Sequence, residues 1–268
     1  MALDLAILSG AGALPADLAR AYPEALCITF TGINHSLPGR TEDHSFERLG
    51  KLFAVLKERG IRRVVMAGSM YRPALNPENF DAFMRQISPQ LVAALQLGDD
   101  GLLRFVINLF ESHGFTVCGA HELLPEMTAK AGILSQVVPQ SKHHDDIEKG
   151  RALLGLLSDA DIGQSTVFEN GLCLGIETLQ GTDALLRFVG QTPSHLRRGQ
   201  GGVLIKTPKS GQDLRVDMPA IGPDTIRAVQ AAGLAGLAID AGRVLLLEPE
   251  QTRALVAQFG LFLIAQEI

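Results

Sequence analysis

The sequence predicts a two-domain α/β chain, and three observations carry that expectation. In the first half, short apolar runs alternate with amphipathic helical patterns, which calls for a mainly parallel sheet. In the second half, β-runs face each other across tight-turn residues, which calls for antiparallel pairing. Between them "GILSQVVPQSKHH", from 132 to 144, has a proline and no period, so a crossover near 132–143 divides the chain into domains 1–135 and 136–268.

Taken in order, "LDLAILS" reads as a strand, followed by a helix to Arg20, the strand "ALCITFT", a helix over 45–59 and the strand "RRVVMAG". Helices over about 78–96 and 99–113 and the strand "FTVCGA" complete the first domain. In the second, "STVFENGLCLGIET" places Asn170-Gly171 between two β-runs, the pattern of a type I′ hairpin, and "LAIDAGRVLLLEP" suggests another around Ala241-Gly242. The pair His143-His144 falls on the linker and is expected to be solvated.

Composition bounds the function. A chain of 268 residues with 46% hydrophobic and 20% charged residues folds into a globular core. The net charge of −5 offers no global positive field, which argues against a nucleic-acid partner. Cys27, Cys118 and Cys173 are odd in number and widely spaced, as reduced core thiols would be. The start "MALDLAILSGAGALP" has no basic segment ahead of its apolar run, and no run reaches the roughly 18–20 residues of a membrane span, so a cytoplasmic protein is expected.

The chemistry gathers at strand ends. "ILSGAGALP" runs a strand into Gly10 and Gly12 and then a helix, which suits either a tight β–α turn or a phosphate on the helix start. Pro15 stands where a dinucleotide fingerprint needs its third glycine, and the second strand ends in "ITFTG" without an acid for the ribose. That disfavours a nicotinamide oxidoreductase but not a nucleotide. "VVMAGSMYRP" adds Gly68, Ser69 and Arg72 at the same sheet edge, although Arg72 alone equally suits a surface ion pair. The first half is thus expected to be a Rossmann-like, parallel-sheet nucleotide-binding domain, and the second an α+β domain with antiparallel hairpins.

"GDDGLLRFV" at 98–106 and "GTDALLRFV" at 181–189 write one helix start twice. Asp100 and Asp183 fall in the first turn, and Arg104 and Arg187 follow four residues later. That spacing suits an ordinary capped helix, or an anion cradle offered by each domain. "GAHELLPEMTA" supplies His121, Glu122 and Glu126, and "LCLGIETLQGTD" brings Glu177 to Asp183. "KTPKSGQDLRVDMPAIG" carries Lys206, Lys209, Arg215 and Asp217. Such carboxylates suit Mg²⁺, which takes few protein oxygens, yet they form no recognised metal motif, and His121 also suits a structural hydrogen bond. Between 197 and 215, five Lys and Arg residues meet one acid, which fits a phosphorylated ligand, an anionic membrane surface or a solvated face.

Together "GAGALP", "GDDGLLR", "GAHELLPEMT", "DIGQ" at 161–164, "IETLQGTDALLRFV" and "RVDMPAIGPDTI" resemble, in the same order, the LpxI-type UDP-2,3-diacylglucosamine pyrophosphatases of lipid A synthesis. The resemblance implies a Mg²⁺-dependent hydrolase that releases UMP and 2,3-diacylglucosamine 1-phosphate (lipid X). It implies a UDP-binding domain and a lipid X-binding domain closing around the pyrophosphate, with water attacking the β-phosphorus in the interdomain cleft. Asp217 of "RVDMPAIG" matches the family's essential aspartate and is the first candidate for the catalytic and metal-linked carboxylate. Glu177 and Asp183 match by motif without assigned roles, and Glu126 is a lesser metal candidate. Gly10, Gly12, Gly68, Ser69 and Arg72 are then expected on the nucleotide phosphates, and Arg104, Arg187 and Lys206 on the bridge. Ala11 stands where relatives often carry glycine. The acylated substrate implies a peripheral position on the cytoplasmic face of the inner membrane, and a homodimer is an ordinary outcome. A non-catalytic UDP-lipid carrier is the rival reading; it predicts binding without turnover.

Overall fold

A computed structural model describes residues 4–71, 73–96, 98–197 and 201–267. Arg72 and Arg198 lie outside the described residues. The chain divides into two units, Met1–Pro125 with Arg215–Asp217, and Glu126–Leu214 with Met218–Ile268.

The first unit runs β1 (Leu5–Ser9), α1 (Leu14–Ala21), β2 (Leu26–Phe30), β3 (Glu42–His44), α2 (Leu49–Glu58), β4 (Arg63–Ala67), α3 (Ala82–Gln96), α4 (Gly98–Ser112), β5 (Thr116–Cys118) and α5 (Ala120–Leu123). Its five strands lie in the order β3-β2-β1-β4-β5, every pair parallel. The strands β1 and β2 are buried throughout, as continuous apolar runs covered on both faces should be. Ala6, Leu8, Ile28 and Val64 meet Leu52, Leu56, Met84 and Phe110 from the helices in one core. Phe53 sits at its centre, edge-on to Phe83 and Phe110 and stacked on His113 at 4.7 Å. The expected parallel-sheet α/β domain is present, with one strand more than its apolar runs predict: β3 reads Glu-Asp-His and has no apolar signal.

The second unit contains β6 (Gly132–Ile133), α6 (Ser141–Ser158), β7 (Ser165–Glu169), β8 (Leu172–Ile176), α7 (Gly181–Gly190), β9 (Val203–Lys206), β10 (Ala220–Ile221), α8 (Pro223–Ala231), β11 (Gly236–Asp240), β12 (Leu245–Leu246), α9 (Pro249–Gln258) and β13 (Phe262–Gln266). Its main sheet is mixed, in the order β6-β13-β11-β9-β7-β8. The inner strands β9, β11 and β13 are parallel, while β7, β8 and β6 join antiparallel. The hairpin at Asn170-Gly171 forms as expected, with φ of 48° and 81° at its two turn residues. Asp146 of α6 holds that turn, its carboxylate accepting from the Asn170 and Gly171 N–H groups at 2.8 and 2.6 Å.

Four expectations change here. No hairpin forms around Ala241-Gly242: β11 belongs to the main sheet, while β12 pairs in parallel with β10 in a separate two-stranded sheet. The apolar run on each side of Gly242 finds a parallel partner instead of its neighbour in sequence. The segment 132–143 is not a bare linker, because Gly132–Ile133 pairs with β13 and α6 begins at Ser141. For the same reason the division falls at 125/126, ahead of 135. His143 is buried rather than solvated, stacked on Phe262 at 5.0 Å, with its Nδ1 accepting from the Gln140 N–H at 3.0 Å.

Candidate active site

In the first unit the two glycine turns leave β1 and β4 side by side at the carboxyl edge of the sheet and are bonded to each other. The Ala11 N–H donates to the Ser69 carbonyl at 2.8 Å and the Ser69 N–H to the Ala11 carbonyl at 2.9 Å, while the Gly10 N–H reaches Ala67 at 2.7 Å. A Cβ on Gly10 would stand 2.5 Å from the Ser69 carbonyl oxygen, and one on Gly68 the same distance from that of Ala11. These two glycines are therefore required by the approach of one turn to the other. Gly12 differs: its φ of +101° faces open space. Ala13, which precedes α1, has no polar side chain to cap it, and Pro15 has no N–H, so the Leu14 and Ala16 N–H groups start the helix without a side-chain cap.

Asp217 belongs to this unit although its sequence neighbours on both sides belong to the other. The excursion is anchored by Arg215, whose guanidinium bonds Glu111 of α4 at 2.7 Å, and by Val216, which packs against the first unit's core. Gly119 admits it. A Cβ there would lie 3.2 Å from the Arg215 Cα and 2.4 Å from the His121 ring. His121 is half-buried, and its Nδ1 is enclosed without a hydrogen-bond partner among the described residues, so the hydrogen bond expected of a structural histidine is not met at that atom. Asp217 itself is half-buried.

In the second unit the structure brings Lys206 and Glu177 together through a residue that sequence reasoning passed over. Lys206, at the carboxyl end of β9, donates to the Thr182 hydroxyl at 2.8 Å, and Thr182 donates to Glu177 at 2.6 Å. Lys206 and Glu177 are each 7% exposed, and Ser165 lies beneath, 3.4 Å from the same hydroxyl. Thr182 stands beside Asp183 in the repeated motif, in the first turn of α7, and that position was its only signal. Asp183 and Arg187 are both exposed, and no ion pair joins them among the described residues.

The twin motifs share a backbone reason. Gly98 opens α4 with φ of 84° and Gly181 opens α7 with φ of 81°, so each helix starts from a reversal that a side chain would strain. Asp100 is half-buried and Arg104 exposed on α4, in the first unit, whereas the second copy stands in the other unit. The basic run from 197 is largely committed within the protein. Arg197 lies against buried Glu169 at 2.5 Å and also donates to the Ala232 carbonyl at 2.9 Å. Lys209 pairs with Asp161, and Arg215 with Glu111. Lys206, by contrast, joins the buried polar network of Thr182 and Glu177.

Burial pushes the Cys27 and Cys118 thiols up, consistent with inert core residues, while Cys173 is exposed, contrary to expectation. Glu126 is exposed at the start of the second unit. No cluster of three or more His, Cys, Asp or Glu side chains that could hold a metal occurs among the described residues. A single carboxylate such as Asp217, completed by phosphate oxygens and water, still fits the habit of Mg²⁺. No helix among the described residues is long and apolar enough to cross a membrane.

Two family models cover almost the whole chain: the LpxI N-terminal domain matches residues 4–127 and the LpxI C-terminal domain residues 130–264. The UDP-2,3-diacylglucosamine pyrophosphatase LpxI of Caulobacter vibrioides is 38% identical over 271 residues, covering 97% of this chain and 96% of that protein. The two matched regions meet beside the division between the units, and the glycine turns, the Asp217 excursion and the Lys206–Thr182–Glu177 network all fall within them. On that match the chain is an enzyme of the hydrolase class and belongs to the LpxI family.

Proposed function

We propose that this protein hydrolyses the pyrophosphate of UDP-2,3-diacylglucosamine, releasing UMP and 2,3-diacylglucosamine 1-phosphate for lipid A synthesis. The likeness to the Caulobacter pyrophosphatase over nearly the full length of both chains carries the reading. The parallel-sheet unit, with its paired glycine turns and uncapped α1, takes the uridine nucleotide. The mixed-sheet unit takes the acylated sugar phosphate, with the buried Lys206 ammonium meeting its negative charge.

Water must reach a phosphorus already ringed by negative oxygens, so the protein has to hold positive charge on the bridge and a carboxylate on the water. Asp217 is the group we assign to orient and deprotonate that water. Its backbone is fixed by Arg215 and Val216 on the unit that carries the glycine turns. Lys206 is held in place by Thr182, and Glu177 accepts from the same hydroxyl, so the ammonium is aimed before substrate arrives. Asp183, Arg104 and Arg187 are assigned lesser roles on the phosphates. Mg²⁺, held by Asp217 or, as the weaker alternative, by Glu126, would supply further charge neutralisation on the pyrophosphate. The acyl chains bring the protein to the cytoplasmic face of the inner membrane as a peripheral protein.

The test is a quenched assay of purified protein with UDP-2,3-diacylglucosamine, in Mg²⁺ and in excess EDTA, run in H₂¹⁸O. Mg²⁺-dependent release with the label in the sugar phosphate is expected. Label in UMP would refute attack at the β-phosphorus, and intact substrate under both conditions would refute the reaction. Asp217→Asn is expected to lower kcat by about 10²-fold or more, on the scale of a lost general base.

A further inference from the structure

The second strand of the first unit ends at Phe30 and turns at Thr31-Gly32 with no acid, where a nucleotide-binding sheet usually places one for the ribose. The structure supplies that acid from the next strand. Parallel register sets Asp43 of β3 beside Thr29 of β2, and the Asp43 carboxylate accepts from the Thr29 hydroxyl at 3.2 Å and the Thr31 hydroxyl at 2.7 Å. One threonine holds each oxygen, yet the side chain remains exposed, so both oxygens keep lone pairs for a ligand.

Asp43 lines a cavity of about 530 Å³ with Thr31, His44, Phe46, Lys51 and Asn79, a size within the range of small-molecule sites. The cavity is built, not merely open. Glu47 accepts from the Asn76 N–H at 3.0 Å and from the Ser45 hydroxyl at 2.8 Å, which ties the loop after β4 to the short turn that precedes α2. Phe46 is backed by Phe30, stacked at 4.1 Å, so its ring is fixed. His44 is buried, and desolvation holds it below the ordinary imidazole value, so that wall is neutral at physiological pH.

We propose that this cavity takes the nucleoside of the uridine nucleotide and that Asp43 accepts hydrogen bonds from its ribose diol. The site lies at the same carboxyl edge as the glycine turns, with β2 next to β1, so a phosphate at Gly12 and α1 leaves its nucleoside over the ends of β2 and β3. Threonine-held Asp43 thus does from β3 what an acid at the tip of β2 would otherwise do. This assignment rests on the proposed uridine substrate.

Calorimetric titration of UMP and of 2′-deoxyuridine monophosphate into the full chain with Mg²⁺ tests it. Wild type is expected to prefer UMP by about tenfold or more, the value of one hydrogen bond to a carboxylate. Asp43→Asn, with circular dichroism and Tm retained, is expected to bring the two ligands within about twofold. Thr31→Val, which loosens the carboxylate but keeps its charge, is expected to cut the preference to about threefold and carries the test if Asp43→Asn fails to fold. An unchanged preference in the variants, or none in wild type, overturns the assignment. The hydrolysis assay separates the two readings. A wild type that hydrolyses substrate without the ribose preference refutes the pocket alone. One that shows the preference but never cleaves substrate refutes the reaction alone.

Discussion

Replacing Gly68 with alanine strikes the join between the two glycine turns, and its cost can be worked from the geometry. The residue sits at φ of +89°, where a side chain costs about 1–2 kcal/mol. The new Cβ would stand 2.5 Å from the Ala11 carbonyl oxygen and 2.7 Å from the Gly10 carbonyl carbon, both backbone atoms that no rotamer change can clear. The turns must separate, and the paired Ala11–Ser69 hydrogen bonds at 2.8 and 2.9 Å are lost, at about 1 kcal/mol each. Gly68→Ala should therefore destabilise the protein by about 3–4 kcal/mol and lower Tm by roughly 10 °C. Gly12→Ala is the control: at φ of +101° it meets open space, so only the backbone cost of about 1–2 kcal/mol remains. Differential scanning calorimetry of both variants, with UMP titration alongside, measures the contrast. Equal losses, or a Gly68→Ala Tm within about 2 °C of wild type, would refute the claim that the close approach demands glycine.

Asp146→Ala removes the acceptor of both hairpin-turn N–H groups and should cost about 2–4 kcal/mol, read as a lower urea midpoint with an unchanged slope. Burial holds His44 and His143 below the ordinary imidazole value, so the unfolded chain takes up those protons first as pH falls through about 6.5. Their contribution is complete above that pH and is lost below it; Tm should drop between about pH 7.5 and 5.5, less steeply in His143→Phe, and an identical slope would count against the cause. Thr182→Val cuts the link between Lys206 and Glu177 and should lower kcat by about tenfold with little change in Tm, while Thr182→Ser restores most of it; equal activity in both variants would make the hydroxyl dispensable.

The parts of the fold that were legible in the sequence were those with a strong local signal. Alternating apolar strands and amphipathic helices announced the first sheet, and Asn170-Gly171 announced its hairpin, because two consecutive positive φ values admit few residue pairs. What stayed hidden depended on partners distant in sequence. Glu42–His44 pairs with β2 without apolar residues, so nothing local marks it. The runs flanking Gly242 carry a hairpin's letters, but parallel neighbours claim each one. At the site, glycines and acids were visible as residue types, and their partners were not. Thr182 and Asp43 matter through hydroxyl and carboxylate contacts that only register and packing create. The basic segment misled in the opposite direction, since Arg197 holds Glu169 in the interior.

The three-residue excursion that carries Asp217 has a consequence for synthesis of the chain. The first unit's other residues end at Pro125, so they leave the ribosome well before Arg215–Asp217 are made. At elongation rates of about 5–20 residues per second, that interval is about 5–20 s. The parallel sheet can close while the carboxylate assigned to the water is still untranslated. A message broken anywhere in that interval would yield the parallel sheet without the carboxylate to which we assign the water. Nor would two genes split at the unit boundary divide the labour cleanly, because the downstream half would carry the acid that the upstream half must receive.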